Sequence, residues 1–123
     1  MWIFLNDAFL SIIEPPKGTP GNKLLVRARA KGVLERVFGP DIKVARTPTR
    51  DYLFRAMIDR DAVATVIATN ILAIDYGNFK DSIPDEREFD LYHKACGMVW
   101  KTMHGFQYQT LPQNQQTADD FAY

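Results

Sequence analysis

A chain of 123 residues with 46% hydrophobic and 24% charged side chains has enough apolar material for one core and lies far from the low-hydrophobicity, high-charge regime of disorder. Fifteen basic and fifteen acidic residues cancel. No global field therefore concentrates the protein on nucleic acid or anionic membrane, and any such binding must come from a local patch. The one cysteine, Cys96, excludes an internal disulfide framework and points to a reducing, cytoplasmic setting.

Residues 2–13 are rich in aromatic and branched side chains and read as a first strand with a bend or bulge at Asn6-Asp7. They do not read as a secretory leader, because a basic start and a small-residue cleavage site are missing. No run reaches the roughly 18 apolar residues that span a bilayer, so no membrane partner is expected. Residues 15–21, with three prolines and two glycines, form a loop. Leu24, Val26, Ala28 and Ala30 then alternate with Leu25, Arg27 and Arg29, the pattern of a half-buried second strand.

Residues 31–38 form a short helix with Val33, Leu34, Val37 and Phe38 at helical spacing and Gly39-Pro40 as its stop. Residues 42–47 return as strand. After a turn at 48–51, Tyr52, Phe54, Ala56 and Ile58 alternate with Leu53, Arg55 and Met57 in a fourth strand. Asp59 is placed to cap a helix bearing Val63, Val66, Ile67, Asn70, Ile71 and Ile74 on one stripe, ended by Gly77. Pro84-Asp85 starts another, in which Phe89, Tyr92, Cys96, Val99 and Met103 recur at alternating three- and four-residue steps.

The expected fold is α+β: a four-stranded antiparallel sheet with helices, in the order ββαββα. That is a ferredoxin-like sandwich in circularly permuted order, plus a C-terminal helix. Its second and fourth strands are the central neighbours, and the first two helices cover one face. The domain is expected to span residues 1–105, with 106–123 as a polar, mobile tail rich in glutamine.

This topology aims Arg27, Arg29 and Arg55 at the face opposite the helices, where guanidinium groups can hold phosphate or carboxylate. RNA-recognition sheets use their central strands in this way but add exposed aromatics, and the outward neighbours here are Leu25, Leu53 and Met57. The plainer expectation is that the third helix covers this face and that Glu86, Glu88 or Asp90 pairs with the arginines. A second candidate is the polar turn of Asp75, Tyr76, Asn78 and Lys80 at a helix end. Asp51, Arg55, Asp75 and Lys80 could also converge as a surface ion network. His93 and Cys96, three apart, lack the second pair a zinc site needs, so neither metal nor cofactor is expected. Nucleophile-elbow, Walker and dinucleotide motifs are missing, and the chain is read as a non-enzyme.

The segments Met1-Trp2-Ile3-Phe4 with Phe9-Leu10-Ser11-Ile12, Val26-Arg27-Ala28-Arg29, Asp51-Tyr52-Leu53-Phe54-Arg55, Ile74-Asp75-Tyr76-Gly77-Asn78-Phe79-Lys80 and Val99-Trp100-Lys101-Thr102-Met103 together resemble a family of small proteins found in bacteria and their phages and plasmids. The resemblance spans nearly the whole domain and implies a mobile-element protein, with no particular chemistry. Together these readings point to an interaction protein that binds a larger host or viral protein, as anti-CRISPR and other anti-defence proteins do. The partner-binding candidates are Asp75, Tyr76, Asn78 and Lys80. The alternatives are a nucleic-acid or polyanion binder using Arg27, Arg29 and Arg55, and a small enzyme using the turn near Asp75.

Overall fold

The computed structural model of the chain describes residues 1–116. Residues 117–123, which include Phe121 and Tyr123 at the end of the expected tail, lie outside the described residues. The chain divides into two compact units, Met1–Gly77 and Asn78–Tyr123.

The first unit is α+β, with a five-stranded antiparallel sheet in the order β1-β2-β3-β5-β4. Its strands are β1 (Trp2–Leu5), β2 (Ala8–Ile13), β3 (Lys23–Ala28), β4 (Ala45–Arg46) and β5 (Phe54–Asp59), and its helices are α1 (Val33–Phe38) and α2 (Arg60–Leu72). The expected central neighbours, now β3 and β5, do pair, from Lys23↔Asp59 to Ala28↔Phe54.

Five strands form where four were expected because Asn6-Asp7 is a turn and not a bulge. Leu5 pairs with Ala8, so the two residues between them close a hairpin. Arg36 of α1 braces that turn, donating to the Asp7 carbonyl and lying 3.5 Å from its carboxylate. The other expected strand, 42–47, shrinks to Ala45–Arg46. Ile42 and Val44 before it pack against the core. Both β3 and β4 run antiparallel to β5, so they are parallel to each other across it, and α1 makes the crossover of one split β-α-β unit.

One face of the sheet carries the core. Ala8, Leu10 and Ile12 of β2, Val26 and Ala28 of β3, and Ala56 and Ile58 of β5 pack with Val33 and Leu34 of α1 and Val63 of α2. Alternation along each strand produces this set. Helix α1 fits because Gly32 and Gly39 take the positive φ values of 82° and 105° at its two ends, a region that favours glycine. Helix α2 ends at Leu72, short of Gly77, and Asp59 turns its carboxylate to Lys23 at 2.8 Å instead of capping the helix. Of its expected stripe, Val63 is buried and Val66 and Ile67 are half-buried, while Ile71 and Ile74 are exposed.

The second unit is helical: α3 (Phe79–Ser82), a single 3-10 turn at Arg87–Phe89, α4 (Asp90–Thr110) and another 3-10 turn at Gln113–Gln115. Helix α3 was not expected; Asn78 caps it by accepting from the Asp81 amide at 3.1 Å. Helix α4 begins at Asp90, not at the Pro84-Asp85 start, and continues through Gly105. No helix among the described residues is long and apolar enough to cross a membrane.

Leu10 is fully buried in the core. Leu10→Ala should therefore cost about 2–5 kcal/mol in urea denaturation, whereas Leu72→Ala at an exposed helix end should stay within about 0.5 kcal/mol.

Candidate functional site

The face of the sheet opposite α1 and α2 begins with one cross-strand row. Trp2 pairs with Ser11, Ser11 with Arg27, Arg27 with Arg55 and Arg55 with Ala45. Two arginines thus stand directly opposite each other, a like-charge arrangement that is destabilising unless other groups meet it.

Three neighbours in the same unit do so. Arg27 donates from Nη2 to Ser11 Oγ at 2.6 Å, and Ser11 is fully buried. The ring of Tyr52 takes the Arg27 guanidinium at 4.4 Å and that of Arg29 at 4.0 Å from its centre, and Tyr52 itself is only 3% exposed. Each such contact is attractive because the cation faces the electron-rich ring. Arg55 pairs with Asp51 at 2.8 Å, and Arg29 donates to the Asp51 carbonyl at 2.7 Å. The Arg55 side chain is 13% exposed and the Asp51 side chain 66%, so solvent screens this pair from one side.

The loop between β4 and β5 sets Asp51 and Tyr52. Thr47 accepts the turn amide of Arg50 at 3.1 Å and donates through its hydroxyl to the Tyr52 carbonyl at 2.7 Å. The Asp51 carboxylate also accepts from the Tyr52 amide at 3.1 Å. Tyr52 was expected on the opposite face in line with Phe54. It sits in this loop before β5 begins, so strand alternation does not govern it.

The array remains short of acceptors. Nε of Arg27 and Nε of Arg55 are both buried with no hydrogen-bond partner among the described residues, and the Asp51 carboxylate pairs with Arg55 while Arg29 reaches the Asp51 backbone carbonyl. That carboxylate comes from the sheet's own unit, where Glu86, Glu88 or Asp90 had been expected. Of the outward apolar neighbours, Leu25 is buried, Leu53 half-buried and Met57 exposed.

Aromatic side chains share this face. The hairpin places Trp2 and Phe4 of β1 on the side of Phe9 and Ser11 of β2. Phe9 lies edge-on to Trp2 at 6.0 Å and tilted against Phe4 at 4.7 Å. Trp2 is 69% exposed.

The other candidate, the polar turn, is divided at Gly77 between the two units. Asp75 is exposed and Tyr76 half-buried in the first. In the second, Asn78 is occupied as the α3 cap, and Lys80 lies with Nζ 4.7 Å from the centre of the Trp100 ring. Of the four residues suggested for an ion network, Asp51 and Arg55 meet. Cys96 is buried on α4, and burial pushes its thiol pKa up against a lowering hydrogen bond with Tyr92. No group of three or more histidine, cysteine or carboxylate side chains among the described residues is placed to hold a metal.

Fold and site together define an antiparallel α+β domain whose sheet carries, on the face opposite α1 and α2, a braced arginine-tyrosine array beside an aromatic hairpin. Compared with protein-family models, curated proteins and solved structures, the chain matches none.

If the Tyr52 ring holds Arg27 and Arg29 as described, Tyr52→Phe should stay within about 0.5 kcal/mol of the parent. Tyr52→Leu, which keeps an apolar side chain but no π face, should lose about 1–3 kcal/mol. Chemical denaturation of the pair measures the difference, and equal losses would contradict the stacking role.

Proposed function

We propose that this chain is a non-enzymatic interaction protein that docks on a larger protein through the C-terminal half of α4. One observation carries this reading. The heptad seam of α4 is 4% exposed at Cys96 and then opens to 39% at Val99, 55% at Met103 and 58% at Phe106. Side chains spaced to fill a helix–helix interface thus continue at exposed positions along the C-terminal half of α4, and contiguous exposed apolar surface of this kind marks interaction sites.

Trp100 flanks the seam, stacked on His104 at 5.1 Å with its ring 8° from parallel. With Lys80 on the ring as well, the indole is a pre-ordered aromatic anchor of the sort that dominates interface energetics. Trp100, Met103, His104, Phe106, Gln107 and Thr110 line an open hollow of about 450 Å³. Past Asp90, α4 carries Lys94 and Lys101 and no acid, so the complementary partner segment is apolar with acidic flanks. Here α4 replaces the Asp75–Lys80 turn as the centre of the docking surface.

A phage- or plasmid-borne inhibitor of a host nuclease complex is the form of this function that the mobile-element resemblance implies. The permuted ferredoxin-like sandwich is our finer reading of the scaffold, resting on the split β-α-β unit around β5.

Met103→Glu combined with Phe106→Glu places two carboxylates on the seam at exposed positions. The double variant should keep its stability within about 1 kcal/mol and lose the stoichiometric partner that the parent captures from host lysate. Capture unchanged by the two substitutions would overturn the assignment. So would light scattering that shows the parent only self-associating through this seam.

A further inference from the structure

We propose that one basic end of the sheet is a second binding site, which grips the phosphate backbone of double-stranded nucleic acid through Arg29, Lys31, Arg46 and Arg50 without reading its sequence. The site is built from the first unit alone and shares no residue with the α4 seam.

The neutral total hides a division of charge. Met1–Gly77 holds eleven lysine and arginine residues against eight acids, and Asn78–Tyr123 four against seven. Charge segregated in this way points to polyanion binding by the basic part. Within the first unit four cations are paired: Lys23 with Asp59, Arg36 with Asp7, Arg55 with Asp51 and Arg60 with Glu14. Much of the surplus gathers where three strand ends meet. Ala28, the last residue of β3, pairs with Phe54 at the start of β5, and Arg46, the last of β4, pairs with the same Phe54 from the other side. The ends of β3 and β4 are therefore roughly 10 Å apart across β5.

Arg29 and Lys31 lie in the loop that leaves β3. Arg50 lies in the turn that leaves β4, closed by its amide on the Thr47 carbonyl at 3.1 Å. A bond from Arg29 Nη1 to the Asp51 carbonyl at 2.7 Å ties the two loops together. All four cations are exposed, and Lys31, Arg46 and Arg50 make no ion pair or side-chain hydrogen bond among the described residues. The one carboxylate in these loops, Asp51, pairs with Arg55, so the four exposed charges have no counter-charge in their own loops.

The surroundings select the kind of polyanion. Protein partners are held by an apolar or aromatic core within a polar rim, and none of the exposed large apolar side chains falls between residues 29 and 51. Beside the cations lie Ala30, Ala45, Pro48 and Thr49. A surface that is polar, positive and without an apolar centre matches nucleic acid. Single strands are held by rings that stack on their unpaired bases, whereas the one ring in these loops, Tyr52, is buried. The ligand that fits is a duplex, whose phosphates position a protein without any base contact. Arginine forks hold phosphate oxygens in pairs.

Anisotropy of a fluorescein-labelled DNA duplex, titrated with the full chain over a range of salt, tests this. The logarithm of the parent's binding constant should fall by about 3 to 4 per decade of salt, as four phosphate contacts require. Arg46→Gln and Arg50→Gln, both at exposed positions, should each reduce that slope by about 1 and together by about 2, with the unfolding midpoint unchanged. Lys17→Gln removes the same charge from the loop before β3, at the other end of the sheet, and should bind as the parent does. A duplex of unrelated sequence should bind equally well. The proposal is overturned if the parent leaves the duplex free at low salt, if the slope is indifferent to Arg46 and Arg50, or if Lys17→Gln lowers it as much as they do. Tighter binding of oligothymidylate than of duplex would also overturn it. So would displacement of the duplex by polyglutamate or by phosphatidylserine vesicles, at equal charge, as effective as displacement by unlabelled duplex.

Discussion

Arg27 and Arg55 face each other across the two central strands of the sheet, and the organisation of that face follows from how their mutual repulsion is met. Cross-strand like charges oppose pairing, yet β3 and β5 pair over their full lengths. The compensation comes from outside the two strands: Ser11 from β2, and Asp51 and Tyr52 from the loop before β5. That loop must therefore hold a fixed shape, which the Thr47 contacts impose. The short β4 beside it is less an element in its own right than the anchor of this loop.

The compensation is incomplete, and the shortfall is what makes the face chemically interesting. Packing against Tyr52 removes guanidinium surface from water without offering every N–H an acceptor, since a ring face accepts charge but replaces few directional hydrogen bonds. In the helical unit the imbalance is apolar instead. The α4 seam is buried at Cys96 and exposed from Val99 onward, along a helix of 21 residues. Each unit thus presents an unmet demand of a different kind, one for acceptors and the other for apolar cover.

Strand alternation made the core face legible in the sequence: Leu24, Val26 and Ala28, like Ala56 and Ile58, lie where their period-two spacing puts them. It likewise put Arg27 and Arg55 on the other face. The aromatic part of the site was hidden by one misread dipeptide. In a continuous strand over residues 2–13, Trp2 and Phe4 at even positions face away from Phe9 and Ser11 at odd ones. A two-residue turn at Asn6-Asp7 reverses the chain and brings all four to one side. Local sequence could have exposed this, because Asn-Asp between two hydrophobic runs is turn chemistry. Tyr52 was harder. Its place against Arg27 and Arg29 depends on where β5 begins, which the Thr47 contacts decide and periodicity does not. Helix α3 was missed because four residues carry too little periodicity to register, although Asn78 is a recognisable cap.

The account stands on the claim that Arg27 and Arg55 keep buried, unpaired Nε–H groups on the sheet face opposite α1 and α2. Solvent exchange of individual arginine Nε–H protons, followed by NMR and assigned with Arg27→Lys and Arg55→Lys, tests that claim most directly. The prediction is that both exchange far more slowly than the Nε–H of Arg50, which lies at an exposed position. Exchange of the Arg27 and Arg55 protons at the Arg50 rate would contradict it.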